Sequence, residues 1–149
     1  MSDWAEFAAG LAEELAGLAD GAVVKIIQSA SISQVRPYAQ FRQLDDILWA
    51  EIVGDKWLDP AAQAGADGNQ LLADAGWQRP DFDHGDNWWL ESPWPMSSAT
   101  YRRLAASVVT GLRDALRVAD PAELVYQAWD ENADNRGIEL PLLGLTRAS

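Results

Sequence analysis

Trp4, Phe7, Leu11, Leu15 and Leu18 recur at steps of three and four, which sets them on one stripe of a helix. Asp3 and Glu6 form a capping box ahead of it, and Asp20-Gly21 supplies a stop, so the first element predicted is an amphipathic helix of about four turns. The texture then changes to the β-branched run Val23, Val24, Ile26 and Ile27, a buried strand. Two further strand-like runs follow. Val35 to Leu44 carries Tyr38 and Phe41, and Ile47 to Val53 carries Leu48, Trp49 and Ile52; Asp45-Asp46 between them makes the tight turn of an antiparallel hairpin. Pro37 cannot donate a ladder hydrogen bond, which places the start of the middle run at a strand end or a sheet edge.

Asp59 to Gly68 is a Pro, Ala, Gly and Asp loop. Asn69 to Ala75 then reads as a short helix stopped by Gly76, with Trp77 placed to fold back on the last turn. Asn87 to Glu91, holding Trp88 and Trp89, reads as another short strand between an acidic loop and the prolines 93 and 95. Ser97 or Ser98 caps the longest helix, whose stripe runs through Tyr101, Leu104, Val108, Leu112 and Leu116, with its arginines mostly off that stripe. Asp120-Pro121-Ala122-Glu123 has the form of a helix start, and a final short helix through Leu124, Tyr126 and Trp129 is the expectation. Asp130 to Arg136 is polar and Gly137 to Leu145 is apolar around Pro141, so the stretch 131–149 reads either as a segment docked on the sheet or as a tail. Connections this short do not suit crossovers. The order therefore implies a single α+β domain, an antiparallel twisted sheet with helices packed on one face.

Composition narrows the chemistry. The chain has 149 residues, no cysteine and a formal charge of −12. That size suits one domain, and the missing thiols exclude a disulfide framework, a thiolate metal site and a cysteine nucleophile. The charge disfavours nucleic acid and anionic lipid surfaces as partners and favours a neutral or basic one. No apolar run approaches the roughly 20 residues of a membrane span, and the first residues are acidic where a signal peptide would be basic, so a cytoplasmic protein is expected. Eight tryptophans are an excess in so short a chain, and Trp is both enriched where proteins grip one another and a good core residue.

Asp81, Asp83, His84, Asp86 and Asn87 form the richest polar cluster. Its Asp-x-Asp start invites comparison with a calcium loop, but Gly85 falls fifth and Ser92 twelfth, where that loop wants glycine sixth and glutamate twelfth. His84 is the single histidine, so no paired-His zinc site is available, and no Gly-x-Ser-x-Gly elbow or phosphate loop accompanies it. No catalytic residue, metal or cofactor is assigned. Trp88 and Trp89 could stack bases, but no basic groove is present to bring them.

Leu48-Trp49-Ala50-Glu51-Ile52-Val53-Gly54-Asp55, Leu71-Leu72 leading to Gly76-Trp77-x-x-Pro80, Asn87-Trp88, and Leu112-Arg113 with Val118 and Asp120-Pro121 behind it occur in one order. Together, over about Trp4 to Trp129, they resemble the actinobacterial TY-Chap domains, chaperone-like proteins grouped with type III secretion chaperones and YbjN proteins. The resemblance implies a small acidic α+β domain of secretion-chaperone-like fold, a homodimer in that branch, which holds an extended or partly folded client peptide. No fixed functional residues come with it. On physical grounds Tyr38, Phe41, Trp49, Trp88 and Trp89 are the candidate peptide-binding surface, an exposed sheet face or edge, with Glu51 and the acidic loop favouring basic clients. The alternatives are a regulatory or immunity-type protein blocking one dedicated partner, and an enzyme using Asp81, Asp83 and His84, which calls for a concave pocket beside that loop and a perturbed carboxylate in it.

Overall fold

The computed structural model describes residues 3–29 and 36–148. Helix α1 (Trp4–Ala16) opens on the side chain of Asp3, which accepts from the Glu6 amide, and closes at Gly17, a turn before the expected stop. Strands β1 (Ala22–Gln28), β2 (Tyr38–Gln43) and β3 (Ile47–Ile52) follow in antiparallel register. Val35, expected to begin the second run, lies outside the described residues. The β2–β3 hairpin turns at Asp45-Asp46 as anticipated, and the fully buried Gln43 amide donates to the Leu44 and Ile47 carbonyls across it.

Helix α2 (Gly65–Asp74) starts inside the stretch read as loop and ends before Gly76, whose positive φ of 103° suits glycine. Trp77 then folds back as expected: its amide donates to the Leu72 carbonyl and its ring is buried. Strand β4 (Trp88–Pro93) pairs with β3, and α3 (Ser98–Val109), capped by Ser97, runs on into a π turn over Thr110–Ala115. The wider turn sets Gly111 against the sheet, where any Cβ would collide with the Ile52 side chain.

The final helix is not formed. Asp120 caps a single 3-10 turn (Pro121–Glu123), and Leu124–Asp130 is strand β5, paired along its whole length with β1. The Asp-Pro-x-Glu signal governs one turn, after which the period is two: Leu124, Tyr126 and Ala128 face the core while Val125, Gln127 and Trp129 face away. Strand-pairing to the central β1 and the β-formers Val125, Tyr126 and Trp129 decide against helix.

The sheet order is β4-β3-β2-β1-β5-β6, with the two-residue β6 (Arg136–Gly137) and β7 (Thr146–Arg147) both on β5, β7 parallel to it. Between them a turn at Pro141–Leu143 buries Leu140 and Leu143 against the same core as α1. Ala22, Val24, Ile26, Phe41, Ile52 and Tyr126 point to the helices and join Phe7, Leu11, Leu72, Leu104 and Leu112 in one hydrophobic cluster. The alternation leaves the opposite face without a helix. This is the α+β architecture expected, an antiparallel sheet covered on one side.

The open sheet face and its aromatic cleft

Register fixes what the uncovered face presents. One cross-strand row carries Glu91, Trp49, Arg42, Val23 and Trp129; the next carries Trp89, Glu51, Gln40, Lys25 and Gln127. Val23 is fully buried here, flanked by Arg42 and Trp129. The pleat therefore divides the five sequence candidates. Trp49 and Trp89 are half-buried on the open face, with Tyr38 at its margin. Phe41 and Trp88, 0 % and 2 % exposed, turn to the helices and belong to the core, so they are removed from the candidate surface. Adjacent Trp88 and Trp89 cannot share a face. Trp129, read at first as helical, adds an indole that the sequence reading missed; the Val125, Gln127, Trp129 alternation was the signal for it.

The loop 81–87 folds over the β3–β4 end of this face. His84 stacks flat on Trp89 (centroids 3.8 Å apart, planes within 2°) and meets Trp49 edge-on at 5.1 Å. Its Nδ1 lies 2.6 Å from Asp81 Oδ1 and its Nε2 2.8 Å from Glu91 Oε2, and the imidazole is only 11 % exposed. Burial against the indoles opposes protonation, but hydrogen bonds to Glu91 and Asp81, with their charges, outweigh it, and the pKa is raised above 6.5. The bond from His84 in turn holds the Asp81 carboxyl below its usual value. A group whose pKa rises on folding stabilises the fold fully below its unfolded pKa and ceases to do so as pH climbs through the folded value. The loop is thus held most firmly in mildly acidic solution. With one histidine in the chain, an NMR titration of its ring protons is expected to show a midpoint above 6.5, with faster amide exchange in residues 81–87 above that midpoint; a midpoint at or below 6.5 would show that the carboxylates do not grip the ring.

Asn87, 6 % exposed, roots the loop. Its Oδ1 accepts from the Gly54 amide at 3.0 Å, and its Nδ2 donates to the Tyr38 hydroxyl and to Glu51 Oε1, each at 3.0 Å. Burial pushes the Tyr38 phenol pKa up, the Asn87 bond opposing. Gly54 has no room for a Cβ, which would strike the Asp86 carbonyl. Asn87→Ala leaves the Gly54 amide unpaired and should cost about 1–3 kcal/mol, measured by urea unfolding.

Beneath the loop lies a cleft of about 260 Å³ whose lining includes Gln40, Arg42, Trp49, Glu51, Asp83 and His84, with the buried Phe41 at its floor. It is the concave pocket beside a shifted carboxylate that an enzymatic use of the loop asks for. Beside it Asp81 is kept ionised and both imidazole nitrogens of His84 are engaged by carboxylates. Among the described residues no group of three or more His, Asp or Glu is placed to hold a metal ion, and no helix is long and apolar enough to cross a membrane.

The edge at β5 is occupied, and the edge at β4 is blocked only in part, Glu91 keeping its outward backbone groups without a backbone partner among the described residues. The outward groups of β4 belong to Trp89, Glu91 and Pro93; Gln78 bridges Trp89, and Pro93 has no N–H. On the other edge the carbonyls of Tyr126, Ala128 and Asp130 accept from Ala148, Ile138 and Asn135. On the helix side a groove of about 470 Å³ lies between α1 and α3 and reaches Arg102.

The sheet is covered on one side only, and its open face carries the half-buried Trp49, Trp89 and Trp129. The chain belongs to the TY-Chap3 family, described as T3SS (YopN, CesT) and YbjN peptide-binding chaperone 3, whose model matches residues 1–130. The resemblance carried by the Ala50 to Gly54 and Gly76 to Pro80 stretches led to the same family. Searches of curated proteins and of solved structures returned no match.

Proposed function

We propose that the protein is a non-catalytic chaperone or adaptor that holds a client polypeptide in extended form across the open face of the sheet, in the cytoplasm. One observation carries this reading: a sheet face left uncovered by α1, α2 and α3, bearing the half-buried Trp49, Trp89 and Trp129 with Trp49 lining a cleft, in a member of a peptide-binding chaperone family. The occupied β5 edge and the bridge from Gln78 to Trp89 on β4 leave little edge for strand addition, which favours the face as the mode of capture. The net charge of −12 selects clients that are neutral or basic overall. A homodimer is part of the proposal on the strength of the resemblance to the secretion-chaperone branch.

The test uses a permanently unfolded basic protein, reduced and alkylated lysozyme, titrated into the purified chain while tryptophan emission is followed. Saturable binding with a change in indole emission is expected. A flat titration, repeated with neutral unfolded proteins, would sink the reading, and turnover of a small molecule at the His84 loop would replace it.

A further inference from the structure

The open face has a second cleft, of about 490 Å³, at the β1–β5 end, lined by Lys25, Ile27, Arg36, Val125, Gln127 and Arg147 among others. Three of the chain's eleven Lys and Arg meet there, in a molecule with twenty-three Asp and Glu, and no carboxylate lines it among the described residues. These cations are available. Lys25 Nζ lies 4.6 Å over the Tyr38 ring and Arg36 donates to the Ser29 carbonyl at 3.0 Å, neither pairing with a carboxylate among the described residues. Arg147 reaches Glu139 only at 4.0 Å, and that glutamate is 83 % exposed, so the pair is weak.

We infer that this cleft is a subsite for a carboxylate side chain of the client, so that the open face reads a segment of mixed charge. The inference rests on the peptide-holding reading and adds a specificity to it. Ile27 and Val125 supply an apolar floor, while two guanidinium groups and an ammonium give a carboxylate charge-assisted hydrogen bonds. At the other end Glu51, Asp83 and Trp49 suit a neutral or basic side chain. The two clefts share one row: Glu51 stands opposite Gln40, and Gln40 opposite Lys25. Two strand spacings separate Glu51 from Lys25, about 10 Å, which an extended peptide crosses in about three residues. Because side chains of an extended peptide alternate, the face thus asks for an acidic residue two or four positions from an aromatic, apolar or basic one.

Randomised peptides of about eight residues, displayed and selected on the purified full chain, test this directly. Against the repulsion of a strongly acidic protein, Asp or Glu is expected to be enriched at one position. A selected peptide should then bind about tenfold more tightly than its Glu→Gln or Asp→Asn counterpart. In the Lys25→Gln/Arg147→Gln protein that preference is expected to vanish while the uncharged counterpart binds as before. Selected peptides without acidic enrichment, or a preference that survives the double substitution, would overturn the carboxylate subsite and leave peptide holding intact. No enrichment of any peptide would remove both.

Discussion

Replacing Phe41 with alanine is expected to lower the free energy of unfolding by about 3–5 kcal/mol. The ring lies on the helix side of β2 with no exposed surface, opposite Val24 on one neighbouring strand and Ala50 on the other. Small residues beside it, Ala39 and Ala50, cannot grow into the space, so the cavity stays open and its cost adds to the lost transfer energy. A domain's entire margin is about 5–15 kcal/mol, and the loss would take a large part of it. Urea unfolding followed by circular dichroism reads it as a lower midpoint with unchanged slope. The neighbour Gln40, one residue away on the open face, provides the contrast: Gln40→Ala should stay within about 0.5 kcal/mol. Equal effects at the two positions would mean that the pleat is assigned to the wrong side.

Truncating the two tryptophans that meet His84 should do the reverse. Trp49→Ala/Trp89→Ala is expected to keep the fold and to weaken peptide binding by roughly 30-fold or more, the effect of losing a hot spot of about 2 kcal/mol. Neither indole is part of the helix-side cluster, so the core survives their removal. What goes is the stack under His84 and the apolar wall of the cleft, and with them the platform on which the loop 81–87 rests. Affinity for a selected peptide, measured by calorimetry on protein shown to be folded, gives the answer. Unchanged affinity in a folded double variant would place the client elsewhere.

The contrast between these two experiments marks how far the sequence could be read. Local signals were sufficient where one element decides itself: the Asp3 cap and apolar stripe of α1, the Asp45-Asp46 hairpin, the Gly76-Trp77 closure and the long α3. They failed at Leu124–Asp130, where a strong helix-start tetrapeptide precedes a segment whose conformation is set by a partner about a hundred residues earlier in the chain. Alternation could separate Tyr38 from Phe41 and Trp88 from Trp89, but which set faces outward depends on where the helices land. The two clefts were further still from view. One needs the loop 81–87 folded back on β3 and β4, the other brings Lys25 together with Arg36 and Arg147 through the docking of the chain's last strand. Both are products of long-range packing, and only their aromatic and charged members were visible as letters.

Where the client lies can be measured in one step. A photoreactive benzoyl-phenylalanine at Gln40, in the middle of the open face, and a second protein carrying it at Arg102, on the groove between α1 and α3, are each irradiated with the same selected peptide. Crosslinking from Gln40 and none from Arg102 is the expected result. Crosslinking from Arg102 alone would put the client on the helix side and contradict the assignment of the open sheet face as the binding surface.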